Sequence, residues 1–272
     1  MSVFGQNDPS LRKLQLLGFT IQTFNGAEAI TPPLCYIASG DFLMGSSPQR
    51  DSDTHPSEED EHWVRLDAYQ IAKYPVTVRE YACFVNQGGT PPETRTNVSW
   101  SVQLQHPDHP VVCVRWIDAH AYTEWLRDTT GQAWRLPTEA EWEKAARWDY
   151  KKGKGEARIY PWGNKFDKRL CNTSASAIGT TTEIDRYPQG ASPYGAYEMA
   201  GNVWEWTTSI FSSYPYDPTD GREDPTSDKH RVLRGGAWLL PKEVARCACR
   251  NSEHPRIFVG HFIDVGFRLL LD

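Results

Sequence analysis

Gly201-Asn202-Val203-Trp204-Glu205-Trp206 is the stretch on which the reading of this chain turns, with Arg234-Gly235-Gly236-Ala237-Trp238 and Gly266-Phe267-Arg268 completing it downstream. Asn202 and Glu205 lie where successive backbone carbonyls can turn inward, and hard oxygen ligands of that kind suit Ca²⁺. The competing reading is that Glu205 pairs with an arginine beneath the tryptophans. The chain has 11 tryptophans, so its core is expected to be wide and irregular, with indole N–H groups that each require a partner.

Working outward, Thr77-Val78-Arg79-Glu80 and Thr138-Glu139-Ala140-Glu141 are capping boxes that predict helix starts. Another helix is predicted from Asp118 to Thr130, ending at Gly131. Pro9–Leu17 reads as a short helix, and the alternation from Phe19 to Phe24 ahead of Asn25-Gly26 reads as a hairpin. Residues 1–30 thus form an N-terminal helix/hairpin extension to a domain of residues 31–272. Cys35–Met44, Trp63–Leu66 and Tyr69–Ala72 read as strands, and Ser46–Glu61 as an acidic loop. From Tyr150 to about Asp228 the chain is rich in Gly, Pro, Ser, Thr and Asn and is expected to be irregular, with strands at Arg231–Trp238 and Val265–Leu271.

A net charge of -6 argues against nucleic acid as a partner. No apolar run approaches the roughly 20 residues of a membrane helix, so no membrane association is expected. Met1–Thr31 has no signal-peptide pattern, which points to the cytoplasm. Among the six cysteines only Cys247-Ala248-Cys249 is a close pair, and it lacks the second Cys/His pair of a zinc site. A buried pair on a core strand is the simpler reading.

Four more islands fall in order before the three above: Phe42-Leu43-Met44-Gly45-Ser46, Tyr74-Pro75-Val76-Thr77, Arg135-Leu136-Pro137-Thr138-Glu139-Ala140-Glu141-Trp142-Glu143 and Tyr160-Pro161-Trp162-Gly163. Together they resemble the formylglycine-generating-enzyme (sulfatase-modifying factor) family. The resemblance implies an α+β, C-type lectin-like fold, irregular, with a twisted antiparallel sheet and two to three helices. It also implies a structural calcium ion held by the carbonyls of Glu198, Gly201 and Val203 with the Glu205 carboxylate, and a second at Asn172 and the Thr173 carbonyl. The family's two copper-binding cysteines align with Leu240 and Lys242, so neither copper nor formylglycine chemistry is expected. Related sulfoxide synthases bind iron through three histidines of a separate helical domain. Here only His106 and His109 are available, in a loop that is expected to be solvated, and iron is not expected either.

Between Pro255 and Gly266 relatives carry a polar loop, whereas this chain reads Arg256-Ile257-Phe258-Val259-Gly260-His261-Phe262-Ile263-Asp264. Either this is a buried strand, or it is an exposed apolar interaction loop. It also resembles the variable proteins of diversity-generating retroelements, whose rewritten segment cannot yield Lys, Gln, Glu, Met or Trp. None of these occurs from Ile257 to Ile263. The expected function is therefore non-catalytic binding of a protein or peptide through Trp238, Leu239, Leu240, Cys249, Ser252, His254, Ile257, Phe258, Val259, His261, Phe262 and Ile263. The alternative is an oxygen-dependent metalloenzyme.

Overall fold

Both capping boxes form. Thr77 and Thr138 each accept the backbone N–H three residues on, and Glu80 and Glu141 accept the N–H of the cap. The computed structural model describes residues 9–24, 26–94, 98–151, 155–257 and 263–272. In order these contain α1 (Pro9–Leu16), β1 (Thr20–Phe24), β2 (Ala27–Thr31), β3 (Leu34–Ile37), β4 (Gly40–Met44), β5 (His62–Leu66), β6 (Tyr69–Ala72), α2 (Val78–Asn86), α3 (Trp100–Gln103) and α4 (Trp116–Thr130). There follow β7 (Trp134–Arg135), α5 (Glu139–Arg147), β8 (Trp204–Ile210), β9 (Arg231–Arg234), β10 (Asn251–Glu253), β11 (Val265–Phe267) and β12 (Leu270–Leu271).

Two four-stranded sheets, ordered β3-β6-β12-β7 and β10-β9-β8-β11, are flanked by the hairpins β1-β2 and β4-β5. Pairing is antiparallel except that β11 runs parallel to β8. Tyr81, Tyr122, Trp204, Trp206 and Phe267 fill the main core between α2, α4 and the second sheet. The indole N–H of Trp206 donates to the Val114 carbonyl at 2.8 Å and that of Trp116 to the Thr207 carbonyl at 2.9 Å, meeting the requirement that buried indoles find partners.

The α+β reading holds: the described residues contain five helices, α1 and the four-residue α3 beside the three main ones. Two sequence expectations need correction. The stretch expected to be irregular contains β8, a seven-residue central strand. Six of its seven residues are buried because β9 and β11 flank it and packing covers both faces, so the two-residue alternation that marks a half-exposed strand is absent. Cys247 and Cys249 are buried as expected, but in a turn rather than on a strand.

Arginine–carboxylate pairs join the sequence islands. Glu139 and Glu143 of α5 are fully buried. Glu139 receives Arg250 Nε at 2.9 Å and Nη2 at 3.0 Å, while Glu143 pairs with Arg147 and Arg234. The N-terminal elements pack on the same body: Leu14, Phe19 and Ile30 meet Tyr74, Cys83 and Ile184. Lys13 reaches Asp108, Glu183 and Asp185 at 2.5, 2.6 and 3.0 Å. No described helix is long and apolar enough to cross a membrane.

Candidate functional site

After β9 the chain doubles back. Gly235 and Gly236 adopt φ of 97° and 73°, and a Cβ on Gly236 would lie 2.7 Å from the Val244 carbonyl oxygen, so only glycine fits this close approach. The return leg is pinned from below. Arg246 Nη1 and Nη2 donate to Glu58 at 2.6 and 2.8 Å, and Nη1 also reaches Asp51 at 2.9 Å. Arg250, held by Glu139, also donates to the carbonyls of Ser57 and Ser212. These two arginines bring the 51–60 loop and the 211–214 loop against the 240–251 segment.

Two clefts result, with Arg250 in the wall of each. One, of about 460 Å³, is lined by Asp53, His55, Leu240, Glu243, Cys249 and Asn251. The other, of about 440 Å³, is lined by Glu59, Asp60, Phe211, Ser213 and Tyr214. The guanidinium of Arg250 lies 4.0 Å from the Tyr214 ring centroid and 4.6 Å from that of Phe211. Asp53, Glu59 and Asp60 are exposed and have no ion-pair partner among the described residues, so the rim is negative. None of these loop residues was singled out from sequence. Only the acidic character of Ser46–Glu61 hinted at them, because the walls meet through pairing over long separations.

Of the residues expected to bind a ligand, Leu239 and Ile257 are 48% and 56% exposed. Leu240, Ser252, His254 and Ile263 are half-buried, and Cys249 lies in the cleft wall while only 6% exposed. Trp238 departs from the expectation. It is 3% exposed and lines a separate cavity of about 60 Å³ with His106 and His109, so it supports the surface from behind. Phe258, Val259, His261 and Phe262 lie outside the described residues. The histidine loop is less solvated than expected: the His106 and His109 rings are 4.8 Å apart, and His109 is half-buried and hydrogen-bonded to the Thr181 hydroxyl. Burial, and secondarily His106, lowers the His109 pKa.

The positions assigned to calcium divide sharply. Both Glu205 carboxylate oxygens are committed, accepting from Arg268 Nε at 2.5 Å, Arg268 Nη2 at 2.6 Å and Trp142 Nε1 at 2.6 Å. This is the arginine pairing that competed with calcium in the sequence reading. Glu198 is also buried, at 6% exposure, yet neither of its carboxylate oxygens has a hydrogen-bond partner among the described residues. Burial pushes its pKa up to about 8, and the nearby Asn202 amide offsets that only in part. At the second position, the Asn172 amide donates to the Thr180 carbonyl and Asn202 Oδ1 and accepts from Ser176, which also donates to the Thr173 carbonyl.

The sulfatase-modifying factor enzyme 1-like domain matches residues 22–272. The chain belongs to that family. Formylglycine-generating enzyme of Bos taurus is 29% identical over 87% of this chain and 74% of its own length. Hercynine oxygenase of Mycolicibacterium smegmatis is 31% identical over 87% of this chain, which spans only 60% of that relative. Among solved structures, Treponema denticola variable protein 1 superimposes with a TM-score of 0.69 at 21% identity, covering 93% of this chain and 99% of the other. The fold is thus the C-type lectin fold that formylglycine-generating enzymes share with variable proteins.

Leu240 and Lys242 are the residues that the sequence resemblance sets against the family's copper-binding cysteines, and Leu240 lines the cleft. Leu240 offers only aliphatic carbon to the cleft. Burial pushes the thiols of Cys247 and Cys249 up to about 12, which keeps them protonated at neutral pH. Among the described residues no group of three or more His, Cys, Asp or Glu could hold a metal ion.

Proposed function

We propose that this chain is a non-catalytic binding protein that seats a protein or peptide ligand over the twin clefts and the exposed Leu239 and Ile257. The observation that carries this reading is Leu240: an aliphatic side chain lines the cleft at the residue that the sequence resemblance sets against a copper-binding cysteine, and the two thiols nearby are buried. Exposed Leu239, next in sequence to the cleft residue Leu240, together with the negative rim, favours a ligand that combines apolar and cationic side chains. Six buried, free cysteines suit a reducing compartment, and we place the protein in the cytoplasm.

A second reading, an oxygen-dependent metalloenzyme, is favoured by the identity to hercynine oxygenase. Selection from displayed random twelve-residue peptides separates the two. The binding reading expects enriched peptides whose binding is lost in a Leu239→Ser, Ile257→Ser variant. That variant should stay within about 0.5 kcal/mol of the parent per exposed substitution. No such enrichment, together with stoichiometric Cu(I) or Fe(II) binding and oxygen uptake, would overturn it.

A further inference from the structure

We infer that the cavity beside Trp238 is a second binding site, which takes a small neutral molecule through a carbonyl or hydroxyl oxygen. The cavity measures about 60 Å³ and shares no lining residue with either cleft. It is reached from solvent, since Val102 in its wall is 43% exposed and His106 and Thr180 are exposed as well. Its inner wall is closed: Val78, Val112 and Trp238 are 1%, 2% and 3% exposed. Judged by the ~30 Å³ that a water occupies in the liquid and the ~150 Å³ cavity that holds benzene, the space admits about two to four heavy atoms.

A buried donor is ordinarily paired, and the indoles of Trp116 and Trp206 obey that rule. The buried indole N–H of Trp238 does not: it has no hydrogen-bond partner among the described residues. The polar groups nearest to it in the lining are committed elsewhere. The Gln103 amide accepts from the Val112 N–H at 2.9 Å and donates to the Val112 carbonyl at 3.2 Å, and His109 Nδ1 is bonded to the Thr181 hydroxyl at 2.9 Å. The Trp238 ring packs among Val98, Val112, Cys113, Val203 and Ile263. Cys113 is held there at φ 60°, a left-handed conformation that a non-glycine residue keeps only where its surroundings impose it. In that apolar surround a lone water on the indole would have one polar partner, fewer than the two to four a buried water requires. A molecule that sets one acceptor oxygen on the N–H and its hydrocarbon on the valines satisfies both. The described lining holds no Asp, Glu, Lys or Arg, and burial lowers the His109 pKa, so that ring is neutral at pH 7. An ion would enter uncompensated, which selects a neutral ligand.

The test titrates the full isotope-labelled chain with acetone and with acetamide, reading indole N–H and valine methyl resonances, with acetate and methylammonium as charged controls. Both neutral probes should saturate in the millimolar range and move one indole signal, the one missing from Trp238→Phe. That variant keeps an aromatic ring but removes the donor, and should weaken acetone binding, read on the valine methyls, by about two- to tenfold. Val102→Trp, a change at an exposed position of the wall, should leave the fold intact and block both probes. Binding unweakened in Trp238→Phe, or charged controls that bind as well as the neutral probes, would overturn the inference. So would the absence of any saturable response, which would mean that the cavity holds water only, or saturable Zn²⁺ binding lost in His106→Ala without a response to acetone, which would make it a metal position.

Discussion

Removing the Glu205 carboxylate tests how this domain holds its sheet together. In Glu205→Ala, Arg268 keeps its hydrogen bonds to the Ala72 and Tyr197 carbonyls at 3.0 and 2.8 Å but loses both carboxylate contacts, and Trp142 Nε1 loses its acceptor. Arg268 is fully buried, so its charge is left uncompensated in the core. Breaking one partner of such a pair costs about 3–5 kcal/mol, whereas replacing both with apolar residues of similar volume is often neutral or stabilising. At about 2–4 °C per kcal/mol the single variant should melt roughly 6–20 °C lower. Glu205→Leu combined with Arg268→Met should recover most of that loss. The assay is urea unfolding followed by tryptophan fluorescence, run in chelator and in millimolar Ca²⁺. The loss should be the same in both. A loss under about 1 kcal/mol, or one that appears only with calcium, would refute the argument and return Glu205 to the role of cation ligand.

Two further outcomes follow from burial. The Cys249 thiol, pushed up to about 12, is ionised to only about one part in ten thousand at pH 8, so an aromatic disulfide reagent should react with it and the other buried thiols far more slowly in the native than in the unfolded chain. Rapid native labelling that disappears in Cys249→Ser would reopen metal chemistry in the cleft. Asp264 is 5% exposed, and burial pushes its pKa up to about 6 from 3.8. Above pH 3.8 the unfolded chain releases this proton first, so native stability falls as pH rises and the penalty is complete above pH 6. Asp264→Asn should therefore add up to about 3 kcal/mol at pH 7 and nothing below pH 3.8; parallel stability–pH curves for parent and variant would contradict this.

What could be read from sequence was local. Thr77 with Glu80 and Thr138 with Glu141 announce helix starts because a cap and its partner lie three residues apart, and Gly131 ends α4 in the left-handed conformation, φ 71°. The alternation of β1 and the ordered islands were likewise sufficient for the hairpin and the family. Tertiary structure decided the rest. β8 has no alternation to read because its neighbours and packing bury both of its faces. The clefts exist because Arg246 finds Glu58 across 188 residues and Arg250 finds Glu139 across 111, distances over which no periodicity carries information. Along the chain Glu205 reads either as a cation ligand or as an arginine partner, and nothing local chooses between the two. Pairing of β11 with β8 sets Gly266 opposite Glu205 and Phe267 opposite Trp206, which brings Arg268 onto Glu205 and leaves Glu198 bare. An arginine that can neutralise only one of two nearby carboxylates is assigned by strand register, and register is a property of the folded sheet.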